Sequence, residues 1–120
     1  MKNITILICE DEPMIREIME SFFSRRAGRV LVAVDGQQGL DLFESHQPDV
    51  VLTDLKMPAI DGIALARHIR SQGSTPVVMI TAHSEKELMH EATLAGINDF
   101  LHKPIDLEEA ERIVKRLIAG

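Results

Sequence analysis

The sequence predicts an α/β fold, in which a doubly wound five-stranded parallel sheet with strand order 2-1-3-4-5 carries helices on both faces. Five apolar runs of five or six residues alternate with amphipathic segments of helical length. The third run is apolar enough for a strand that is covered on both faces, as strands of parallel sheets are. No linker or repeat interrupts the alternation, which favours right-handed crossovers within one sheet. The predicted strands are residues 4–9, 30–34, 49–53, 76–81 and 98–102.

The first predicted helix follows the first strand and begins near Pro13, because proline is favoured in the first helical turn. Helical spacing assigns it a stripe of four apolar side chains on the buried face. These are Ile15, Ile18, Met19 and Phe22. We interpret all four as core residues.

The next two helices are predicted at about residues 37–46 and 63–71. The side chains expected to face inward are Leu40 and Phe43 in the first of them, and Leu65, Ala66 and Ile69 in the second. Asp61 and Gly62 precede the second of these helices and indicate a turn, in which glycine permits a φ that other residues resist.

The last two helices each begin with a capping-box pattern. In such a box a side-chain oxygen caps the helix, and an acid three residues later returns to the cap. Ser84 and Glu87 supply these side chains for the fourth helix, and Asp106 and Glu109 supply them for the fifth. The two glutamates therefore have a structural explanation.

Composition and charge restrict the classes of function. The 120 residues suit one domain, residues 1–120, with a single hydrophobic core. A formal net charge of −6 argues against direct binding to nucleic acid, because acidic proteins repel phosphate backbones. No segment is long and apolar enough for a signal sequence or a membrane span. The single cysteine, Cys9, favours a reducing compartment, and a cytoplasmic location is expected.

Polar side chains stand at the ends of four predicted strands. Glu10 and Asp11 follow the first strand, and Asp54 follows the third. Thr81 ends the fourth strand, and Lys103 follows the fifth. Since the carboxyl ends of parallel strands share one edge of the sheet, these side chains should meet there.

The acids at this edge need a cation, because two carboxylates about 4 Å apart repel by roughly 4 kcal/mol at an effective dielectric of about 20. Mg²⁺ keeps several waters and suits this sparse set of oxygens, and Lys103 would cover the remaining charge.

The same residues indicate phosphoryl transfer to Asp54. An aspartate nucleophile that forms an aspartyl phosphate needs positioning and charge neutralisation more than acid–base chemistry. Mg²⁺, Lys103 and the Thr81 hydroxyl would supply both. Ala82 is small enough to leave room for the incoming group.

Five short motifs occur in a fixed order along the chain. They are Glu10-Asp11, Asp54-Leu55-Lys56-Met57-Pro58, Asp61-Gly62, Thr81-Ala82 and Lys103-Pro104. Together they resemble the motifs of response-regulator receiver domains of two-component signalling, and the chain is similar to chemotaxis regulators over essentially its whole length. The resemblance implies a flavodoxin-like (βα)5 receiver fold.

The resemblance also implies the chemistry of the site. Asp54 would accept a phosphoryl group from a phosphohistidine on a sensor histidine kinase or a phosphotransfer protein. Mg²⁺ would be bound by Asp11, Asp54 and the backbone carbonyl of Lys56, with Glu10 acting through a water. By the same resemblance, Lys56 and His83 flank the path of the water that hydrolyses the phosphoaspartate, and their identities tune its lifetime.

The resemblance further implies a switch between two states. Phosphorylated Asp54 would draw Thr81 towards it, and Phe100, at the family's aromatic switch position, would rotate inward. The face formed by the fourth helix, fifth strand and fifth helix would then change and regulate an output domain or target protein. The same face could form a homodimer. Lys103 completes the catalytic set, and its bond to Pro104 is expected to be cis.

Two other functions share parts of this pattern. A dehalogenase-like phosphatase also uses an aspartyl phosphate, but it needs a second acid two residues after the nucleophile, where this chain has Lys56. A receiver-like adaptor that works without phosphorylation stays open, although every expected site residue is present. The chain is therefore predicted to assist its own phosphorylation and dephosphorylation and not to be an enzyme. It could be a stand-alone receiver or the front part of a longer regulator.

Overall fold

The computed structural model describes residues 1–82 and 85–120. In this part of the chain, five strands alternate with five helices. The strands are β1 (Thr5–Cys9), β2 (Arg29–Ala33), β3 (Val50–Asp54), β4 (Val77–Thr81) and β5 (Asp99–His102), and the helices are α1 (Pro13–Ser24), α2 (Gly36–His46), α3 (Gly62–Gln72), α4 (Lys86–Leu94) and α5 (Leu107–Ala119). Neighbouring strands pair in parallel in the order β2-β1-β3-β4-β5, which confirms the predicted doubly wound sheet.

The sheet is the middle layer of the molecule because its central strands are apolar on both faces. Every residue of β3 and β4 is buried, and alternate side chains point to opposite sides, as the two-residue period of a strand requires. On one side, Ile8 belongs to a core that contains Phe23 of α1 and residues of α5. On the other side, Val51 belongs to a core that contains Phe43 of α2 and Ile69 of α3.

The buried stripe of α1 differs from the predicted one. Met19 is fully buried as expected, but Ile18 is 49% exposed, and Phe23 rather than Phe22 enters the core completely. Phe22 is half-buried, with its ring 3.6 Å from the Arg26 guanidinium. Two adjacent phenylalanines each fit a helical period, and the way the helix lies on the sheet decides which of them is buried.

The apolar faces of α2 and α3 follow the prediction. Their inward residues lie in the core, fully for Phe43, Leu65, Ala66 and Ile69 and partly for Leu40. Among the described residues, no helix has the length and apolar character needed to cross a membrane.

The two predicted capping boxes differ in outcome. Asp106 caps α5, because its carboxylate accepts hydrogen bonds from the backbone N–H groups of Glu108 and Glu109 at 3.0 and 3.1 Å. The N-cap residue of α4 is Glu85, one position later than the pattern predicts. Ser84, the predicted cap, lies outside the described residues.

The loop between β3 and α3 makes a close approach at Gly62. This glycine was predicted for an unusual φ, but it is not among the residues with positive φ. A Cβ at Gly62 would instead lie 2.4 Å from the backbone oxygen of Asp54. The absence of a side chain, and not conformational freedom, is therefore what lets α3 begin so close to the end of β3.

The same loop contains a strained alanine. Ala59 has a φ of 71°, in the left-handed region that costs an L-residue about 1–2 kcal/mol.

Ala59→Gly should therefore stabilise the fold. The expected gain is about 0.5–1 kcal/mol, because glycine relieves the strain but loses more conformational entropy than alanine on folding. Urea unfolding measures the change. The control Ala64→Gly, at an exposed helical position, should instead destabilise the fold by about 0.5–1 kcal/mol, and equal effects of the two variants would contradict the interpretation.

Candidate functional site

The carboxyl edge of the sheet brings the predicted side chains together. Asp54 ends β3 and Thr81 ends β4, and they are 6% and 2% exposed. Glu10 directly follows β1 and is fully buried. Lys103 directly follows β5, and its bond to Pro104 is cis, as predicted. Four strand ends thus place four polar side chains at one edge, as the sequence pattern indicates.

The Asp54 carboxylate is held in a fixed orientation. Its Oδ1 accepts a hydrogen bond of 2.8 Å from the backbone N–H of Leu55. Its Oδ2 accepts a hydrogen bond of 3.1 Å from Nζ of Lys103. The group is therefore anchored to the main chain through one oxygen and faces a cation with the other.

The Lys103 ammonium group lies among three carboxylates. Nζ donates to Oε2 of Glu12 at 2.8 Å and to Oδ2 of Asp54 at 3.1 Å. It lies 3.4 Å from Oε1 of Glu10. Burial by itself lowers the pKa of Lys103, but the hydrogen bonds to Glu12 and Asp54 outweigh it, so that the pKa is raised above its ordinary value. Lys103 is therefore a permanent positive charge in the site.

Glu10 has a carboxylate that its protein neighbours satisfy only in part. Oε2 accepts a hydrogen bond of 3.2 Å from the backbone N–H of Glu12, but no described residue donates a hydrogen bond to Oε1. Burial raises the pKa of Glu10 to about 7, and the neighbouring Asp54 carboxylate acts in the same direction. The Lys103 ammonium group lies 3.4 Å from Oε1 but donates no hydrogen bond to it. A water or a metal ion that contacted this oxygen would therefore reduce the cost of burying it.

The site contains an acid that the sequence does not single out. Carboxylate oxygens of Glu10, Glu12 and Asp54 lie within 4.8 Å of one another. Asp11, the predicted ligand, lines the same cleft but does not belong to this group. Sequence reasoning misses Glu12 because an acid at the start of a helix normally has a structural explanation there. Its position directly after the acidic pair and before Pro13 is the signal that could have found it.

A cleft of about 220 Å³ opens beside Asp54. It is lined by Asp11, Glu12, Asp54, Lys56, Ala82 and Lys103. Lys56 and Ala82 are exposed at its rim, so a group of the size of a phosphate can reach the carboxylate from solvent. His83, which was predicted to flank the path of a water, lies outside the described residues.

Phe100 lies on β5 beside a small cavity that also borders Thr81. The cavity measures about 10 Å³, which is no more than one water occupies and far too little for an aromatic ring. Its other lining residues are Leu55, Met79, Leu88, Met89 and Ala92. Phe100 is half-buried, so its ring can enter this space only if other side chains that line the cavity move.

A family profile matches most of the chain. It is the profile of the response regulator receiver domain, and it matches residues 6–115. The chain belongs to this family. The receiver is 39% identical to the regulatory protein AtoC of Escherichia coli over 114 residues, which cover 94% of this chain and 25% of AtoC. It is 31% identical to the probable C4-dicarboxylate response regulator DctR of Priestia megaterium over 118 residues, which cover 96% of this chain and 52% of DctR.

Solved receiver domains share the fold. The receiver domain of the Francisella response regulator 1452 superposes with a TM-score of 0.89 at 31% identity, covering 98% of both chains. The receiver domain of the sensor histidine kinase PA1611 from Pseudomonas aeruginosa superposes with a TM-score of 0.88 at 30% identity, covering 98% of this chain and 99% of that one. That receiver has a magnesium ion coordinated in its active-site cleft. The flavodoxin-like receiver fold predicted from the sequence is confirmed.

Family membership implies a role in phosphorylation-activated signalling. The receiver spans about a quarter to a half of the length of the curated relatives described above. The oxygens at this edge of the sheet fit a hard divalent cation, because Glu10 and Asp54 offer neighbouring carboxylates and Oε1 of Glu10 is buried without a described hydrogen-bond donor.

Proposed function

We propose that Asp54 is the phosphoryl acceptor of this receiver and that a sensor histidine kinase or a phosphotransfer protein is the donor. The observation that carries the proposal is the Asp54 carboxylate, which borders an open cleft and has its Oδ2 3.1 Å from the Lys103 ammonium group. A carboxylate nucleophile needs a fixed orientation and a nearby cation, and Asp54 has both.

In the proposed transfer, a carboxylate oxygen of Asp54 forms a bond to phosphorus while the bond from phosphorus to the donor's imidazole nitrogen breaks. The imidazole leaves with the electron pair of that bond and takes up a proton from water. No base has to activate the nucleophile, because an ionised carboxylate already carries the charge. Lys103 offsets part of the charge on the phosphoryl oxygens, and the Thr81 hydroxyl is the proposed hydrogen-bond donor to them.

We propose Mg²⁺ as the cofactor. Asp11, Asp54 and the backbone carbonyl of Lys56 would bind it, and Glu10 would act through a water. When bound, the ion would supply positive charge next to the phosphoryl oxygens. Carboxylate oxygens of Glu10 and Asp54 lie within 4.8 Å of each other, and Oε1 of Glu10 is buried without a described hydrogen-bond donor, which supports a cation beside these two acids. Asp11 and Lys56 line the same cleft.

The proposed output is a change on the face formed by α4, β5 and α5. Thr81 and Phe100 border the same cavity, so movement of Thr81 towards a phosphoryl group would open space for the Phe100 ring. Leu88 and Met89 line that cavity too, which connects it to α4. The altered face would regulate an output domain or target protein, and it is also the proposed surface for a homodimer.

We propose that residues 1–120 form a single receiver domain that acts in the cytoplasm and assists its own phosphorylation and dephosphorylation. The net charge of −6 supports a role without direct contact to nucleic acid or membrane. The buried free thiol of Cys9 is compatible with a reducing compartment.

Incubation with a small acyl phosphate and Mg²⁺, followed by mass spectrometry, tests the acceptor. The expected product carries one phosphoryl group, loses it on treatment with hydroxylamine, and maps to Asp54 after reduction with borohydride. A phosphoryl group on another residue would contradict the assignment. If neither the small donor nor a phosphohistidine protein transferred a phosphoryl group, the phosphorylation-independent adaptor would be favoured instead.

Lys103→Ala is expected to separate phosphorylation from switching. Lys103 does not form the bond to phosphorus, so phosphoryl uptake at Asp54 should persist but be about a hundredfold slower. The NMR shift of Phe100 on phosphorylation, which measures the coupling, should be lost. Lys2→Ala removes an exposed lysine that precedes β1 in the chain, and this variant should behave like the wild type. Unchanged switching in Lys103→Ala would count against its proposed role.

A further inference from the structure

Glu12 is a site residue that the phosphoryl acceptor, the proposed metal ligands and the switch do not account for. It is the N-cap residue of α1, yet its carboxylate makes no capping hydrogen bond to that helix. Instead, its Oε2 accepts a hydrogen bond of 2.8 Å from Lys103. This contact is shorter than the 3.1 Å from Lys103 to Asp54. The Glu12 carboxylate therefore pairs with Lys103 and does not cap α1.

The position of Glu12 is fixed by its surroundings. Its backbone N–H donates to Oε2 of Glu10 at 3.2 Å, and its backbone carbonyl accepts from the N–H of Arg16 at 3.0 Å. The side chain of Glu12 is 57% exposed, whereas that of Lys103 is 17% exposed. Glu12 thus covers the ammonium group of Lys103 from the solvent side.

We propose that Glu12 is a positioning residue, which holds Lys103 before phosphorylation and releases it to the phosphoryl oxygens afterwards. The inference rests on the proposed role of Asp54. Phosphoryl oxygens in the cleft would compete for the N–H groups of Lys103. Because Glu12 is exposed, water can solvate its carboxylate when the contact breaks, whereas release of the buried Glu10 would leave a carboxylate without solvent. Glu12 is therefore the partner that gives way.

Glu12 should slow phosphoryl uptake for two reasons. It adds a negative charge beside an incoming anion, and it occupies an N–H group of Lys103. Removal of its charge should therefore accelerate phosphoryl uptake at saturating Mg²⁺. We expect a change of about two- to fivefold in rate, which corresponds to the interaction energy of a half-exposed ion pair.

The first experiment observes Lys103 in the unphosphorylated, metal-free protein. In Glu12→Gln, the ¹⁵N NMR signal of the Lys103 ammonium group should shift and its hydrogens should exchange faster with water. The matched variant Glu17→Gln removes the same charge from an exposed position of the same helix and should leave the signal unchanged. An unchanged Lys103 signal in Glu12→Gln would overturn the proposal. This measurement needs no phosphorylation, so its failure is distinguishable from a failure of Asp54 as the acceptor.

The second experiment separates positioning from metal binding, because Glu12 belongs to the acidic group. Calorimetric titration with Mg²⁺ should give a Kd for Glu12→Gln within about threefold of the wild type. Uptake from a small acyl phosphate at saturating Mg²⁺ should rise about two- to fivefold, and Glu12→Ala, which also removes the hydrogen-bond acceptor, should raise it at least as much. Binding of Mg²⁺ weakened tenfold would make Glu12 a metal ligand and overturn the proposal, and so would slower uptake.

Discussion

Replacement of Asp54 with asparagine is expected to abolish phosphorylation of the receiver. The amide keeps the size of the side chain, and its oxygen can still accept the N–H of Leu55, so the variant should fold. However, an uncharged amide is too weak a nucleophile to take the phosphoryl group. Uptake from a small acyl phosphate in the presence of Mg²⁺, measured as intact mass, should fall to background.

Asp41→Asn is the matched control for this variant. Asp41 is exposed on α2, where its carboxylate accepts a hydrogen bond from Gln37, and it does not line the cleft. The control should be phosphorylated at the rate of the wild type. Appreciable phosphorylation of Asp54→Asn would mean that another residue accepts the group, and the proposed mechanism would then be wrong.

The largest effect on stability is expected from a side chain at Gly36, the first residue of α2. A Cβ there would lie 1.7 Å from the carbonyl oxygen of Ile60 and 2.5 Å from its carbonyl carbon. Backbone atoms cannot give way without moving the whole loop between β3 and α3. Gly36→Ala should therefore lower the free energy of unfolding by about 3 kcal/mol or more, as measured by urea unfolding. Since this loop leads away from Asp54, phosphoryl uptake should decrease too.

Gly73→Ala is the control for the steric argument. Gly73 has an extended backbone, and a Cβ at this position would meet no atom within 4 Å. The variant should be within about 0.5 kcal/mol of the wild type or slightly more stable, because alanine has fewer conformations to lose on folding. If Gly36→Ala were as stable as Gly73→Ala, the close approach of α2 to Ile60 would be refuted.

The elements that could be predicted from the sequence are those set by local patterns. An apolar run that stops at a polar residue indicates both a strand and its end, which is why Asp54, Thr81 and Lys103 could be placed at one edge. The N-cap role of Asp106 could be predicted for the same reason, since a cap and its helix are neighbours in the chain.

The features that escaped prediction depend on contacts between distant segments. The backbone of Ile60 leaves no room for a side chain at Gly36, and the carbonyl of Asp54 leaves none at Gly62. The residues next to each glycine in the sequence do not indicate these contacts. The choice of Phe23 over its neighbour in the core likewise depends on how α1 lies on the sheet.

Glu12 escaped for a different reason. An acid at the start of a helix is common, and its role depends on the direction in which the side chain turns. Here it turns to Lys103, which is 91 residues away in the chain. Only the folded arrangement of β1, α1 and β5 brings the two groups together.

Beryllofluoride, a noncovalent mimic of the phosphoryl group, tests the proposed acceptor and switch together. In the presence of Mg²⁺ it should change the NMR chemical shifts around Asp54, Thr81 and Phe100 of the wild type, and it should leave those of Asp54→Asn unchanged. The same response in Asp54→Asn, or a wild-type spectrum that did not respond, would contradict the assignment of Asp54 as the phosphoryl acceptor.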